Sequence, residues 1–268
     1  MRRRVALATA AHLPELDEDG PELLAALREE GLEPVVAVWD DRRVEWDRFD
    51  LVLLRTTWDY WSRHEEFLAW TRRVPRLVNS ADVVAWNTDK TYLRRLADAG
   101  VPVVPTTWLV PGDAFAPPPE PFVVKPTVSA GARDSAAYEG GARAAVAHVQ
   151  RLLAVGRPVM VQPYLPAVDT DGETSVLVFD GVVSHGARKA AVLSRGAGVD
   201  NGLDSRSFVT PRRPAAAEVA LAEQVLDVVR SWGDELLYAR VDLLPGPVLL
   251  ELEVTEPSLF LRHAPGSA

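Results

Sequence analysis

Cysteine is absent from the 268 residues, and methionine nearly so, with two. The first absence excludes disulfides, thiolate metal sites and cysteine nucleophiles, while leaving the compartment undecided. Long apolar runs are missing as well: none approaches the roughly 20 residues that span a bilayer. The opening Met1-Arg2-Arg3-Arg4 is followed by an apolar stretch too short for a signal peptide. A soluble, cytoplasmic protein with no membrane partner is the expectation. Positive charge is also short, 29 Lys and Arg against 38 Asp and Glu, a net charge of −9. Phosphate-backbone binding needs a basic surface, so nucleic acid is not an expected partner, although a local basic pocket for a small phosphate remains compatible. Internal repeats and low-complexity stretches are lacking too.

What is present is an ordinary globular composition, 47% hydrophobic and 25% charged, long enough for two small domains or one domain with an inserted lid. Residues 5–9, 34–39 and 51–55 read as strands. Between the first two, 20–30 reads as a helix with Leu23, Leu24 and Leu27 on one face and Gly31 as its stop. This alternation predicts a parallel sheet with helices on its faces, whose ligands collect beyond the carboxyl ends of the strands. Thr9 and His12 follow the first strand, and Arg55, Thr57, Trp58, Asp59 and Tyr60 follow the third. These seven are the candidate substrate residues. Arg55 could clamp a carboxylate and Asp59 an amino group, whereas packing roles for Trp58 and Tyr60 and an Arg55–Asp59 pair are the plainer alternative.

Helices are expected over 62–72 and 90–99, with a further element beginning at 77–79 and a domain boundary near 86–89. Beyond Val101 the pattern changes to short strands and Pro-rich turns. Strands are expected over 122–125 and 158–162, with a helix over 143–153 between them. A hairpin over 174–189 turns at Asp180-Gly181. The Gly- and Asp-rich stretch 194–207 is expected to be a mobile loop, and 215–232 a helix beneath a final hairpin.

That final hairpin sets three carboxylates, Asp242, Glu251 and Glu253, into apolar segments. Side chains alternate along a strand, so Glu251 and Glu253 share a face, and a turn at Pro245-Gly246-Pro247 would bring Asp242 beside them. A hard divalent cation held with nucleotide phosphates would relieve their repulsion. The competing reading is the solvent face of an amphipathic edge strand.

Lys90 and Lys125 are candidates for holding phosphate, Lys125 because it ends the apolar run Phe122-Val123-Val124. The small-residue loop downstream, with Ser129 and Gly131, lets backbone N–H groups approach an anion. At the Pro break in Gln162-Pro163-Tyr164-Leu165, backbone groups freed from the ladder could bond a purine edge. Arg188, Lys189 and Arg240 near the carboxylates would neutralise charge on a transferred phosphoryl group, ordinary surface ion pairing being the alternative.

The order of these features resembles the ATP-grasp superfamily over about residues 87–260. Trp58-Asp59-Tyr60, Glu66-Phe67-Leu68-Ala69-Trp70, Asn79-Ser80 and Trp86-Asn87-Thr88-Asp89-Lys90 extend the resemblance over nearly the full chain. They are similar to actinobacterial ligases related to the cycloserine-forming cyclo-ligase, which closes O-ureidoserine. The resemblance also takes in glutathione-synthetase-like enzymes. It implies an α/β and α+β fold: a parallel α/β pre-ATP-grasp domain (1–88), then an ATP-grasp module of two α+β subdomains, a lid (89–165) and a metal-bearing part (166–268). It implies ATP, with Lys90 and Lys125 on its phosphates, Gln162 to Leu165 on adenine and Glu173 on the ribose or adenine side. It implies Mg²⁺, or Mn²⁺ in its place, on Asp242, Glu251 and Glu253. Many relatives carry Asn where this chain has Glu253, and a Gly-Gly segment common after the Arg/Lys hairpin is replaced only in part by Gly196-Ala197-Gly198 and Asn201-Gly202.

The expected activity is ATP-dependent joining of a small-molecule carboxylate to a nitrogen nucleophile through an acylphosphate, by positioning and charge neutralisation. A nucleotide-binding sensor of the same fold and a kinase that stops at the phosphorylated product are the rivals. A homodimer is compatible with the sequence, which does not fix the oligomeric state.

Overall fold

The computed structural model describes residues 2–191, 193, 198–199 and 209–267. The N-terminal sheet is built from β1 (Arg4–Thr9), β2 (Glu33–Val38), β3 (Leu51–Thr56) and β4 (Leu77–Val78), all parallel in the order β2-β1-β3-β4. Alternation along β1 explains why helices cover both faces. Val5 and Leu7 pack with Leu23, Leu24 and Leu27 of α1 (Gly20–Glu29). Ala6 and Ala8 face an aromatic cluster that includes Trp39, with Phe67 and Trp70 of α2 (His64–Thr71). The parallel sheet expected from sequence is therefore formed, its third strand running to Thr56, one residue beyond the expected end.

Two short helices follow, α3 (Ala81–Asn87) and α4 (Tyr92–Asp98). The first was not evident in the sequence. Ser80 caps it, its Oγ accepting from the Val83 N–H at 3.3 Å. The second starts later than expected, at Tyr92, because the Lys90 N–H bonds the Thr127 carbonyl at 2.9 Å. The chain then bridges back at Val103 to Leu249 before entering the second sheet.

This antiparallel sheet has the order β5-β8-β6-β7, from β5 (Thr107–Leu109), β6 (Phe122–Pro126), β7 (Ala136–Tyr138) and β8 (Val159–Pro163). Helix α5 (Arg143–Ala154) covers one face with Ala145, Val149 and Leu152 against Phe122, Val124, Val159 and Val161. After α6 (Ala167–Asp171) comes a five-stranded antiparallel sheet, β11-β10-β9-β12-β13. Its strands are β9 (Glu173–Phe179), β10 (Val182–Lys189), β11 (Val209–Pro211), β12 (Tyr238–Leu244) and β13 (Val248–Glu253). The expected β9–β10 hairpin is present, with Asp180 and Gly181 both at positive φ, 47° and 75°.

Helix α7 (Ala216–Ser231) lies against this sheet, burying Leu221, Val225 and Val229 with Val176, Val241, Leu243 and Leu252. Tyr92, Leu93 and Leu96 of α4 join the same core. Among the described residues no helix is long and apolar enough to cross a membrane. The stretch 194–207, expected to be a mobile loop, lies outside the described residues apart from Gly198 and Val199. So do Gly196-Ala197 and Asn201-Gly202.

Candidate active site

The β12–β13 register sets Asp242 opposite Glu251 and Arg240 opposite Glu253. Glu251 and Glu253 share a face of β13 and line a cavity of about 380 Å³. β13 is the edge strand of its sheet, but this face looks into a cleft lined by all three sheets or the loops that leave them, not into bulk solvent. Lys90 Nζ pairs with Glu251 Oε1 at 3.1 Å and donates to the Ser129 carbonyl at 3.0 Å. Arg240 Nη2 holds Glu253.

Asp242 sits behind the cavity wall. It is 1% exposed and does not line the cleft. Its Oδ1 accepts from Ser175 Oγ at 2.6 Å and Arg240 Nε at 3.0 Å, its Oδ2 from Lys189 Nζ at 2.7 Å and Arg240 Nη2 at 2.9 Å. Burial alone would raise its pKa, but Arg240 and Lys189 outweigh burial and hold it well below the ordinary carboxylate range. Lys189 also pairs with Glu173 Oε2 at 2.8 Å. Gly172, at φ +71°, precedes Glu173 so closely beneath the Lys189 carbonyl that a Cβ would lie 2.3 Å from that oxygen.

Arg188 is corrected outright. Neighbours on a strand point to opposite faces, so with Lys189 in the cleft Arg188 turns away, donating to the carbonyls of Asp171 at 2.7 Å and Thr170 at 2.8 Å. No three His, Cys, Asp or Glu among the described residues are grouped to hold a metal ion by themselves. The donor set still suits a hard cation that brings phosphate oxygens with it. Burial, then Glu251 and Asp242, push Glu253 above the usual carboxylate range against the pull of Arg240, so added positive charge there is favoured.

On the opposite wall, Lys125, Ser129, Gly131, Gln162, Pro163, Tyr164 and Leu165 all reach the cavity, as the sequence suggested. Among the described residues Lys125 has no ion-pair partner. Its pKa is lowered, by burial first and by Lys90 and Lys189 as well, with Glu251 and Glu173 opposing. A half-buried ammonium without a counterion is suited to receive an anion. The freed backbone at the Pro break needs one correction: the Tyr164 N–H is taken by the Pro121 carbonyl at 2.9 Å. Gln162 Nε2 donates to Thr106 Oγ1 at 3.0 Å.

Of the seven substrate candidates, His12, Trp58 and Tyr60 line the cavity and Thr9, Arg55, Thr57 and Asp59 do not. Thr9 is buried, its Oγ1 bonding the Leu13 carbonyl at 2.6 Å and Thr56 Oγ1 at 2.5 Å. Thr57 is fully buried beside it. Asp59 accepts from Trp39 Nε1 at 2.9 Å and pairs with Arg63 at 2.7 Å, not with Arg55. Arg55, 2% exposed, donates from Nη2 to the Pro257 carbonyl at 3.0 Å.

That bond is one of a series. Six consecutive carbonyls after β13 accept side-chain hydrogen bonds: Val254 from Asn79, Thr255 from Tyr238, Glu256 from Trp58, Pro257 from Arg55, Ser258 from Arg240 and Leu259 from His185. The Val254 N–H bonds Asn87 Oδ1, and those of Leu259 and Phe260 bond Asp19 Oδ2. The segment is irregular, yet its polar backbone is satisfied by side chains from both ends of the chain. Glu256, Ser258 and Phe260 on it line the cavity, as do Asn87, Trp61 and Arg133, and none of these was singled out from sequence. The acidic Glu256-Pro257-Ser258 directly after the acidic strand is the signal that was there to be read.

Residues 5–79 match the family model described as the N-terminal domain of D-cycloserine synthetase DcsG. Cycloserine biosynthesis protein DcsG of Streptomyces lavendulae is 40% identical over 98% of this chain and 95% of its own length. The crystal structure of D-cycloserine synthetase DcsG superposes with a TM-score of 0.89 at 37% identity, covering 98% of this chain and 96% of that one. A D-alanine--D-alanine ligase from Bacillus anthracis complexed with ATP shares the fold at a TM-score of 0.61 and 15% identity, over 98% of this chain and 91% of the other.

Proposed function

The chain belongs to the D-cycloserine synthetase family of ATP-grasp ligases, and from that premise we propose that it activates the carboxylate of an amino-acid-like small molecule with ATP and joins it to a nitrogen. The observation that supports this best is one cleft holding Lys90, Lys125, Lys189 and Arg240 against Glu251 and Glu253. Phosphoryl transfer asks for little beyond positioning and charge neutralisation, and this set supplies both.

In this reading Lys90 and Lys125 hold the nucleotide phosphates, and Gln162 to Leu165 with Glu173 flank the nucleoside. Glu251 and Glu253 hold Mg²⁺, which when bound neutralises the polyphosphate. Asp242 anchors Lys189 and Arg240, so both cations meet the transferred group with their geometry already fixed. The substrate carboxylate oxygen attacks the γ-phosphorus and ADP leaves. The nitrogen then attacks the acyl carbon of the acylphosphate, losing a proton as phosphate departs. For O-ureidoserine the nitrogen bound to the side-chain oxygen lies in the same molecule, so its attack closes a ring that still carries the carbamoyl group, and hydrolysis of that group by water, releasing carbon dioxide and ammonia, leaves cycloserine. Residues 89–165 act as the lid over the nucleotide, and 1–88 supply the substrate side.

The test is ADP release with ATP and Mg²⁺ against amino acids and their ureido and aminooxy derivatives, with products identified by mass spectrometry. Cycloserine from O-ureidoserine is the expected result. ATP binding without ADP release in every mixture would overturn the reading in favour of a nucleotide sensor.

A further inference from the structure

Glu256 stands apart from the other acids of the cleft. Glu251 is paired with Lys90, Glu253 with Arg240, and Glu173 with Lys189. Among the described residues Glu256 has no ion pair, and it lines the cavity together with Trp58, Tyr60 and Phe260. Its backbone is pinned before, at and after its own position by Tyr238, Trp58 and Arg55. A carboxylate without a counterion, rigidly presented in a cavity that aromatic side chains also line, suits an organic cation, because charge and ring quadrupoles attract the same ligand.

We propose that Glu256 is the specificity-determining residue that receives the ammonium group of the substrate, selecting amino acids over plain carboxylic acids. The proposal deepens the ligase reading and rests on it. The phosphate-binding cations Lys90, Lys125, Lys189 and Arg240 draw in the anionic parts of the reactants. Glu256 is the acid left to balance a positively charged end. Burial first, then Glu253 and Glu251, push its pKa up to about 8 against the effect of Lys90. A bound ammonium would reverse that penalty, which is how a site gains selectivity from a charge it otherwise holds at a cost.

The experiment compares wild type with Glu256→Gln, which keeps the shape and removes the charge, and with Glu256→Asp. Steady-state ADP release is measured with O-ureidoserine and with its desamino analogue. Calorimetry measures cycloserine, which keeps a free amine and needs no turnover. Expected in Glu256→Gln is a KM for O-ureidoserine and a Kd for cycloserine each raised roughly tenfold or more, as for loss of one charge-assisted contact. The KM for ATP and the Mg²⁺ requirement should stay as in wild type, turnover of the desamino analogue should not change, and Glu256→Asp should restore part of the affinity. Unchanged KM and Kd in a variant that turns over would overturn the inference alone, as would a raised ATP KM or Mg²⁺ requirement, which marks a metal ligand instead. Wild-type protein that neither releases ADP nor binds cycloserine would overturn the ligase reading and the inference with it.

Discussion

Arg55 Nη2 donates to the Pro257 carbonyl at 3.0 Å across 202 residues of sequence. The guanidinium at the end of β3 thereby fixes the segment that follows the acidic strand, and Trp58 does the same one residue earlier. Removing one charge-assisted bond to a buried carbonyl costs about 1.5–3 kcal/mol. Arg55→Ala is expected to lower unfolding stability by that amount in a denaturant titration and to raise KM for the amino-acid substrate more than KM for ATP. Arg55→Lys should not rescue it, because the ammonium lacks the fork that reaches the carbonyl. Full stability in Arg55→Ala would mean the bond is dispensable.

Glu251 and Glu253 face the cleft side by side, so neutralising one removes half of the cation-binding charge without emptying space. Glu251→Gln should cut Mg²⁺-dependent ADP release by at least about 100-fold, the scale of losing one electrostatic contact in a transfer site. The circular dichroism spectrum should be unchanged. A near-normal rate would remove Glu251 from the metal site.

Lys125 offers a half-buried ammonium with no counterion among the described residues. Lys125→Ala should weaken binding of a nonhydrolysable ATP analogue roughly tenfold to hundredfold, the equivalent of one charged hydrogen bond. Stability of the free protein should hold or rise, since an uncompensated half-buried charge is removed. Unchanged nucleotide affinity would place Lys125 outside the phosphate site.

Stability should also depend on pH in a direction set by Glu256. Its ordinary value is 4.5 and in the folded chain it is pushed up to about 8. Between those values the folded chain holds a proton that the unfolded chain has lost, so stability falls as pH rises through the window. Glu253, also raised, acts in the same sense. Asp242, held low, acts oppositely, with its contribution lost only in strong acid. The melting temperature of the free protein is expected to drop between about pH 5 and about pH 8, and Glu256→Gln should flatten that slope. A rise over the same range would contradict the raised pKa.

What could be read from sequence was local. The Asp180-Gly181 turn and the shared face of Glu251 and Glu253 need only neighbouring residues to be recognised, and both are present. Strands β5, β7 and β11 span three residues each, too few for alternation to register. Arg55 was misjudged because its partner is 202 residues away, and no periodicity links positions so distant. Glu256 was passed over because it follows the last strand, where the two-residue period stops. Asp242 was placed on the correct strand, but alternation gives the face of a side chain and not the cations lying under it.

Arg188 and Lys189 turn that rule into a paired test. They adjoin on β10, carry the same charge and point to opposite sides. Lys189 neutralises both Asp242 and Glu173 from a buried position. Lys189→Ala would leave those carboxylates facing each other, at a cost of about 3–5 kcal/mol for breaking a buried pair. It should also loosen Arg240, so kcat should fall with stability. Arg188→Ala loses two bonds to the carbonyls that end α6, outside the cleft, worth about 1–3 kcal/mol of stability at most. Its KM for ATP and kcat should stay within about twofold of wild type, a difference of about 0.4 kcal/mol. Steady-state kinetics on the two variants decides the matter: an inactive Arg188→Ala beside an active Lys189→Ala would mean that the strand presents its other face to the reaction.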